Sequence, residues 1–369
     1  MKRVLIISGG LQMGGAERVA SNICLYAPEG EFEFHYLVFE GHDNVYGPEI
    51  EARGGKVITI PPPSAGYGAY IRRLSRLIRD NRYSVVHSHT MFNSGINLAI
   101  AKRYEVPIRI GHSHTTRKTE KPVSAAQKSY ERLMRRLILW AATDLLACGV
   151  EAGEWLYGAR AFSRGGRVIR NGIDTDLFAY SEENREKIRA DYGFASGNSV
   201  IGHSGTLLPL KNQEFLIRLM PEIQKKKPDV RLMLMGQGEE AELRRLQTIA
   251  AECGVEDDVV FCGGVNNVNE CLSAMDVFAF PSLREGTPLA LIEAQANGLP
   301  CIISDCIPAD AILTDLVHPQ SLENDESWVD ALINAHRYDP VKYAQKIEDA
   351  GYSIKTSCNP IYEIYRRIV

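Results

Sequence analysis

The chain has 369 residues, of which 45% are hydrophobic and 24% are charged, a composition typical of a globular protein with room for two domains. No run of 18 apolar residues occurs, so we predict no membrane-spanning helix, and the short apolar run after the basic start predicts a buried strand rather than a signal peptide. The eight cysteines are scattered without a C-x-x-C pair, which disfavours a disulfide framework and a zinc site and indicates a reducing cytoplasm.

The net charge of −4 at pH 7 hides a difference between the two halves of the chain. Residues 1–172 hold 24 lysines and arginines against 15 acidic residues, a net of +9. Residues 173–369 hold 18 against 31, a net of −13. This difference indicates two domains with different partners, of which the basic one suits an anionic surface or substrate. A nucleic acid is not among the partners that we expect.

Short apolar runs alternate with amphipathic helical patterns along the chain. Continuous apolar strands that alternate with helices are typical of parallel sheets covered on both faces, and the number of units predicts two doubly wound α/β domains. We place the boundary near residues 168–178, where a strand pattern meets the turn signal Asn-Gly. The predicted strands are 4–8, 35–39, 56–60, 84–88, 107–112, 144–148, 199–205, 231–236, 259–263, 277–282 and 300–304, and the clearest helices are 70–82, 212–226 and 241–254.

A glycine-rich loop, GGLQMGGAER (residues 9–18), follows the first predicted strand and precedes a helical pattern. Such a loop lets the backbone approach a ligand, and the amides at the helix start favour an anion. The loop lacks the G-x-G-x-x-G spacing, and no acidic residue follows where a ribose ligand is expected, which disfavours a nicotinamide oxidoreductase. A tight turn that serves only strand–helix packing is the alternative.

Two His-x-His pairs end the fourth and fifth predicted strands, in VVHSHT (85–90) and IGHSHTT (110–116). Ligands of open α/β sheets bind beyond the carboxyl ends of strands, so these histidines are placed to hydrogen-bond a polar ligand. A metal site is disfavoured because no carboxylate lies at a helpful spacing and no H-E-x-x-H pattern occurs. Burial against backbone groups is the alternative.

Two further motifs lie early in the second half. Asp174-Thr175-Asp176 has the D-x-D pattern with which some enzymes hold a divalent ion, but it lies in a linker, so we interpret it as turn and helix-capping chemistry. GHSGTLLPLKN (202–212) follows a strand and places Lys211 before a helical pattern, which suits a phosphate group. An exposed loop lysine is the alternative.

The stretch REGTPLALIEAQANG (284–298) carries two glutamates in a segment that is otherwise mostly small and apolar. Thr287 is a good N-cap and Pro288 suits the first helical position, so we predict Glu285 in the loop before a helix and Glu293 in its second turn. Amides at a helix start favour phosphate, and carboxylates accept vicinal hydroxyls. The stretch therefore predicts a nucleotide sugar as ligand. Exposed or salt-bridged glutamates are the less favoured alternative.

These residues resemble glycosyltransferase family 4, retaining enzymes with the GT-B fold. The stretch EGTPLALIEAQANGLPCIIS is similar to the family's E-x7-E signature, and GGAER, NGIDTDLF, the lysine loop, MGQGEE and VVFCGG follow the family's order over nearly the whole chain. Within the family the chain resembles bacterial exopolysaccharide and capsule transferases of the EpsF type.

The resemblance implies two Rossmann-like domains that face a central cleft. An acceptor-binding domain is expected at residues 1–172 and a nucleotide-sugar-binding domain at 173–351, with a last helix at about 352–369 that packs back onto the first domain.

The resemblance also implies roles for single residues. Glu293 resembles the glutamate that holds the nucleotide ribose, Glu285 the one that contacts the donor sugar, and Lys211 the lysine that stabilises the departing diphosphate. His114 corresponds to a histidine near the donor sugar, and it joins Glu285 and Lys211 as an expected catalytic residue. The other positions expected to line the donor are Gly14, Gly15, Thr206, Val265, Gly286, Thr287 and Leu289.

The chain departs from the family at two positions. Thr206 stands where an arginine usually partners the lysine, which removes a charge-assisted contact to the diphosphate. Our hypothesis is that Arg284 replaces it. Gly149 stands where the family commonly has serine.

The implied reaction is a metal-independent, cofactor-free transfer of a sugar, favoured to come from a UDP-sugar, to a saccharide or lipid-linked saccharide of a bacterial surface polysaccharide. Same-face attack, with a donor phosphate oxygen helping to deprotonate the acceptor, nominates no protein base. Two other functions stay open. One is a non-catalytic GT-B protein that binds a nucleotide sugar, which Thr206 favours, and the other is a GT-B sugar-nucleotide epimerase, which works without an acceptor.

The expected location is cytoplasmic. The basic helical patterns at 70–82 and 127–140 add the hypothesis of docking on anionic lipid at the inner face of the cell membrane. A solvated helix face is the equal alternative.

Overall fold

A computed structural model of the chain describes residues 1–12, 15–41, 44–114, 124–286, 288–337 and 340–367. The chain divides into two compact units. Unit 1 comprises Met1–Gly172 together with Ile354–Val369, and unit 2 comprises Ile173–Ser353.

Unit 1 is built on a seven-stranded sheet with strands β1 (Lys2–Gly9), β2 (Phe32–Phe39), β3 (Lys56–Ile60), β4 (Val85–Ser88), β5 (Ile108–Ser113), β6 (Asp144–Ala147) and β7 (Gly166–Val168). The spatial order is β3-β2-β1-β4-β5-β6-β7, and every neighbouring pair is parallel. Strand β1 lies inside the sheet, between β2 and β4, and is mostly buried because helices cover both faces, which explains its continuous apolar sequence.

Within the described residues, the α-helices between these strands are α1 (Gly15–Leu25), α2 (Gly47–Ala52), α3 (Tyr67–Asn81), α4 (Ser94–Arg103), α5 (Ala125–Ala141), α6 (Val150–Tyr157) and α7 (Ala159–Gly165). Buried side chains of α3, α4, α5 and α6 form one apolar cluster with the sheet, and α1 contributes to a second. Helix α5 begins after Ser124, whose side chain accepts a hydrogen bond from the Gln127 amide.

Unit 2 repeats this architecture with strands β8 (Ser199–Ser204), β9 (Val230–Met235), β10 (Val259–Gly263), β11 (Val277–Phe280), β12 (Cys301–Ser304) and β13 (Val317–Gln320). They form a parallel sheet in the order β10-β9-β8-β11-β12-β13. Its helices are α8 (Glu182–Asp191), α9 (Gln213–Lys226), α10 (Glu240–Glu252), α11 (Val268–Ala274), α12 (Leu289–Ala296), α13 (Asp325–Asn334) and α14 (Val341–Ile347), followed by a π-type turn, Glu348–Tyr352.

The chain ends in unit 1 with two helices, α15 (Ile354–Ser357) and α16 (Asn359–Arg366). Helix α16 buries Ile361, Tyr362, Ile364 and Tyr365 in the apolar cluster to which α1 belongs. The Tyr362 hydroxyl donates to the carbonyl of Ile23 at 3.0 Å.

The α/β class and both doubly wound sheets that the sequence predicts are confirmed. The list of predicted strands omits β7, where only a strand pattern from residue 168 was noted. It also omits β13, whose residues Val317–Gln320 include an exposed histidine and an exposed proline. None of the helices in the described ranges is both long and apolar enough to cross a bilayer.

Candidate functional site

In the sheet of unit 2 the strand order reverses between two neighbouring strands, β8 and β11. From β8 the chain continues to β9 on one side, and from β11 it continues to β12 on the other. The loops after β8 and β11 therefore diverge and leave a crevice at the carboxyl ends of the strands, which is where open α/β sheets bind ligands. Residues 205–212 belong to the first of these loops, and residues 281–286 and 288 belong to the second.

Backbone hydrogen bonds tie the two loops together. The Leu283 amide donates to the carbonyl of Leu210 at 2.9 Å, and the side-chain amide of Asn212 donates to the carbonyl of Pro281 at 3.3 Å. Asn212 has a φ of 57°, a left-handed conformation that asparagine tolerates better than most residues. This turn ends the lysine loop and starts α9 at Gln213.

Lys211 and Glu285 meet across the crevice. The Lys211 ammonium donates to Glu285 Oε1 at 2.6 Å, and the two side chains are only 21% and 11% exposed. The sequence disfavoured salt-bridged glutamates in this stretch, and for Glu285 that expectation is wrong. Because both groups are largely removed from water, each charge needs the other until a ligand offers a replacement.

The ring of Phe280 lies near the Lys211 ammonium, and the ring of His203 lies beside Phe280. The Lys211 ammonium lies 5.4 Å from the ring centroid of Phe280, a favourable cation–π distance. His203, fully buried in β8, lies near Phe280 with its ring Nδ1 2.9 Å from the carbonyl of Ala279. A carbonyl only accepts, so Nδ1 carries the proton and Nε2 is a bare acceptor. Burial lowers the pKa of His203 to about 4, which keeps the ring neutral at pH 7.

Helix α12 starts one residue later than predicted, at Leu289, with Pro288 as its N-cap residue. Thr287, the predicted N-cap, lies outside the described residues. Glu293 is half-buried in the second turn of α12, as predicted. Gly286, just before this helix, is exposed, and Leu289 is half-buried.

The loop after β9 forms the third wall of this region. The Gly205 amide donates to the carbonyl of Met235 at 2.9 Å, and the Gly236 amide donates to the carbonyl of Gly263 at 2.8 Å. Gly236 has a φ of +152°, and a Cβ atom there would lie 1.9 Å from the carbonyl oxygen of Gly205. Val265, predicted near the base of the nucleotide, lies half-buried just beyond β10.

Thr206 and Arg284, the residue that lacks the expected charge and the one hypothesised to replace it, are both exposed. Thr206 offers its carbonyl to the side-chain amide of Gln213 at 3.0 Å. The Arg284 side chain makes no hydrogen bond or ion pair within the described residues. A free guanidinium next to Glu285 is therefore available to an anionic ligand.

At Gly149, which precedes α6, nothing within 4 Å would obstruct the Cβ atom of a serine.

In unit 1 the two His-x-His pairs form one group, which we call the histidine cluster: His87, His89, His112 and His114. Strands β4 and β5 are parallel neighbours, so the histidines at their ends meet. His87 Nε2 lies 3.2 Å from His112 Nδ1, and His89 Nδ1 lies 2.7 Å from His114 Nε2. Burial lowers the pKa of all four rings, that of His114 to about 4.

Ring nitrogens of His87, His89 and His112 lie within 4.8 Å of one another, a spacing at which three imidazoles could hold a metal ion. The imidazoles instead pair with one another, and His87 Nδ1 lies 2.7 Å from the Tyr365 hydroxyl. Residues 15–18 of the predicted glycine-rich loop belong to α1, whose first residue, Gly15, is exposed, and Gly14 lies outside the described residues.

The D-x-D motif is a turn, as the sequence predicts. The Leu177 amide donates to the Asp174 carboxylate at 3.1 Å, and the buried Thr175 hydroxyl donates to Glu348 Oε1 at 2.6 Å. The expected helix capping is wrong, because the next helix, α8, begins only at Glu182 and is capped by Ser181.

Sequence reasoning missed two partners of the site residues. The contact between Lys211 and Glu285 joins positions 74 residues apart, and Tyr365 reaches the histidine cluster from the last helix. A histidine inside an apolar strand pattern was the available signal for His203, since a buried imidazole needs a hydrogen-bond partner.

Comparisons with known proteins show the family to which the chain belongs. The family model described as Glycosyltransferase Family 4 matches residues 13–177, and that described as Glycosyl transferases group 1 matches residues 184–352. EpsF of Bacillus subtilis (strain 168), named as a glycosyltransferase, is 31% identical over 374 residues, which cover 99% of this chain and 96% of EpsF. CapH of Staphylococcus aureus, a capsular polysaccharide biosynthesis glycosyltransferase, is 27% identical over 82% of this chain and 81% of its own.

Among solved structures, HepE of Anabaena in complex with UDP-glucose superposes with a TM-score of 0.78 at 19% identity, covering 98% of this chain and 99% of that one. This likeness shows the GT-B fold. Together with the full-length identity to EpsF and the two family models, it leads to one conclusion: the chain is a glycosyltransferase enzyme of family 4.

Proposed function

We propose that the chain transfers a sugar from a UDP-sugar to a saccharide or lipid-linked saccharide acceptor, with retention of the anomeric configuration, in the synthesis of a bacterial surface polysaccharide. The observation that carries the proposal is the contact of 2.6 Å between Lys211 and Glu285 at the crevice of unit 2. It supports the proposal because a lysine and a glutamate lie side by side at a strand end, where the cation would bind a diphosphate and the carboxylate would accept sugar hydroxyls.

The ion pair also suggests how the donor binds. A donor diphosphate would take the Lys211 ammonium as its own counter-ion, and the sugar hydroxyls would then occupy the Glu285 carboxylate. The charges stay matched throughout this exchange, which avoids leaving a half-buried carboxylate alone. In the bond-breaking step Lys211 would stabilise the charge that develops on the leaving nucleoside diphosphate. Glu293, in the second turn of α12, is the proposed ribose ligand.

The transfer is proposed to need no metal ion and no cofactor. Lys211 and the amides at the start of α12 supply the positive charge that a divalent ion would otherwise provide. Unit 1 is proposed to bind the acceptor and unit 2 the donor. The names of EpsF and CapH support a role in polysaccharide synthesis, and the UDP-glucose bound to HepE supports a uridine donor.

The test combines calorimetric binding with product analysis. The purified chain is titrated with UDP-, GDP- and ADP-sugars, and then incubated with the bound donor and saccharide acceptors in buffer with EDTA. We expect binding of a UDP-sugar and a product whose linkage keeps the donor's anomeric configuration. An inverted linkage, a preference for another base or a loss of turnover in EDTA would each contradict the corresponding part of the proposal.

The same experiment separates the two competing functions. Donor binding without transfer to any acceptor would favour the non-catalytic protein, which the exposed Thr206 supports. An isomerised sugar from donor alone would favour the epimerase.

Arg284 is proposed to supply the second positive charge that Thr206 lacks. We expect Arg284→Ala to weaken UDP binding by about tenfold, the loss of one charge-assisted hydrogen bond. The matched control is Arg244→Ala, which removes an exposed arginine from α10 of the same unit. Unchanged UDP affinity in Arg284→Ala, measured by calorimetry, would remove Arg284 from the donor site.

Unit 1 is proposed to dock on anionic lipid through the outer face of α5. Three apolar side chains of this helix are 42% to 57% exposed, namely Leu133, Leu139 and Trp140. The exposed basic side chains Lys128, Arg132 and Arg136 lie on the same helix. Exposed apolar side chains flanked by basic ones are typical of helices that lie in a membrane interface. Exposed arginines of α3, namely Arg72, Arg73, Arg76 and Arg79, extend the positive charge of unit 1.

The docking prediction is tested by flotation with vesicles. We expect the variant Arg132→Glu/Arg136→Glu to lose binding to vesicles that contain phosphatidylglycerol, because two attractions become repulsions. The control Lys225→Glu/Arg244→Glu changes the charge equally on exposed positions of unit 2 and should bind as the parent does. Equal binding by both variants, or no binding by the parent, would refute docking through α5.

A further inference from the structure

His203 has one ring nitrogen without a partner beside the crevice of unit 2. Its Nδ1–H donates to the carbonyl of Ala279 at 2.9 Å, so Nε2 carries a bare lone pair. This nitrogen is buried and has no hydrogen-bond partner in the part of the chain that the structure describes. Buried polar atoms of folded proteins are nearly always paired, so we expect a donor for this lone pair in at least one state of the enzyme.

Gly205 leaves open the space next to this nitrogen. A Cβ atom on residue 205 would lie 3.3 Å from His203 Nε2, 3.5 Å from Lys211 Cδ and 3.6 Å from Lys211 Cε. The φ of Gly205 is not positive, so its backbone conformation does not require glycine. Its amide donates to the Met235 carbonyl and its own carbonyl accepts from the Gln213 side chain, which fixes its position. The missing side chain therefore keeps open a space that the imidazole nitrogen and the lysine side chain share.

The Lys211 ammonium is a donor that can reach this lone pair. It has three N–H groups, and Glu285 Oε1 is its single hydrogen-bond acceptor among the residues that the structure describes. Because Cδ and Cε of Lys211 already lie beside the Gly205 position, a change between staggered rotamers about the Cδ–Cε bond moves the ammonium and leaves the rest of the side chain in place.

Glu285 and His203 differ as acceptors because only one of them is charged. Burial lowers the pKa of His203 to about 4, and the nearby Lys211 charge acts in the same direction, so the imidazole is neutral at pH 7. A carboxylate cancels the charge of the ammonium that it binds, which suits a crevice where both charges are largely removed from water. A neutral imidazole accepts one N–H and leaves the ammonium its full charge and two N–H groups for phosphate oxygens.

We propose that His203 is a positioning residue for Lys211: when a diphosphate draws the Lys211 ammonium away from Glu285, the ammonium donates one N–H to His203 Nε2 and directs the other two at the phosphate oxygens. The inference rests on the proposed function for the identity of the ligand, whereas the exchange of acceptors depends on unit 2 alone. His203 acts through Lys211 and does not itself contact the diphosphate.

The exchange of acceptors is measured by nitrogen-15 NMR of the histidine rings in the full chain, with the His203 signals identified by their loss in His203→Asn. In the parent without ligand we expect the Nε2 signal of a free lone pair. In Glu285→Leu we expect this signal to move upfield without any ligand, because the lone pair accepts from the freed ammonium. The control Lys211→Met/Glu285→Leu should show the parent signal. Should Glu285→Leu fail to fold, Glu285→Gln, whose neutral amide holds the ammonium less strongly, replaces it.

The binding arm uses UDP and two amide variants of His203. His203→Asn keeps a donor for the Ala279 carbonyl but has no atom at the position of Nε2. We therefore expect it to bind UDP about tenfold more weakly, the loss of one charge-assisted hydrogen bond. His203→Gln, whose side-chain oxygen can reach that position, should recover most of the affinity in calorimetry.

The outcomes separate this inference from the proposed function. An Nε2 signal that stays in place when Glu285 is replaced, or UDP affinities that are equally reduced in His203→Asn and His203→Gln, would overturn the inference. So would a UDP affinity of His203→Asn equal to that of the parent. Absence of UDP binding in the parent, together with the expected upfield movement in Glu285→Leu, would contradict the proposed function and leave the exchange of acceptors standing.

Discussion

Replacing Lys211 by methionine is expected to lower kcat by about a hundredfold to a thousandfold, the effect of removing one electrostatic contact from a transition state in which charge develops. Methionine keeps the length of the side chain and its packing on Phe280, which lies 5.4 Å from the ammonium, and removes only the charge. Single-turnover measurements with the donor that binds separate this effect from a change in affinity.

The same substitution should also destabilise unit 2, because Glu285 is only 11% exposed and loses its partner. The double variant Lys211→Met/Glu285→Gln removes both charges and should recover stability without recovering activity. Lys225→Met, which removes an exposed lysine, is the control and should be as active and as stable as the parent. If Lys211→Met kept more than a tenth of the parent's kcat, the proposed role of Lys211 would be wrong.

Replacing Gly236 by alanine is expected to cost unit 2 about 3 kcal/mol or more of unfolding free energy and to weaken UDP binding. The new Cβ atom would lie 1.9 Å from the backbone oxygen of Gly205, and backbone atoms cannot move aside as a flexible side chain can. The loop after β8, which carries Lys211, would have to shift. Overlap with backbone at a positive φ belongs to the mechanisms that give the largest single-residue losses.

Gly263→Ala is the matched control for this loop. Gly263 also has a positive φ, +68°, but no atom lies within 4 Å of its Cβ position, so alanine there should cost only the left-handed strain of about 1–2 kcal/mol. Trp328 is the single tryptophan of unit 2. Its fluorescence in a chain with Trp140→Phe and Trp155→Phe therefore reports urea unfolding of that unit alone. If Gly236→Ala and Gly263→Ala lost equal unfolding free energy, the close approach of Gly236 to the Gly205 carbonyl would not be needed for stability.

The strands and their doubly wound order were predictable because buried parallel strands must be apolar along their whole length. Apolar runs such as VLIIS and RLMLMG are typical of strands that are buried on both faces of a parallel sheet. Strand β13 lies at the edge of its sheet, where exposed positions admit a histidine and a proline. It therefore lacks the pattern on which the other predictions depend.

The sequence indicated which residues belong to the site, but it did not indicate which of them contact each other. A lysine after one strand and a glutamate after another indicate that both lie at the same sheet edge, because all the strands of unit 2 are parallel. Whether their side chains touch depends on the course of two loops, which the Leu283–Leu210 hydrogen bond fixes. The pairing of the four histidines likewise depends on the neighbouring positions of β4 and β5, which the sequence does not state.

The return of the last helix to unit 1 has a consequence for the order of folding during synthesis. Unit 2 is one continuous segment, and all of its residues have been made before Ile354 is added. Unit 1 lacks its buried Ile361, Tyr362, Ile364 and Tyr365 until these residues have been made in their turn. Although domains nearest the N-terminus generally fold first on the ribosome, here the second unit is complete before the first. The basic unit therefore waits for α16, which covers part of one face of its sheet, after every residue of the acidic unit has been added.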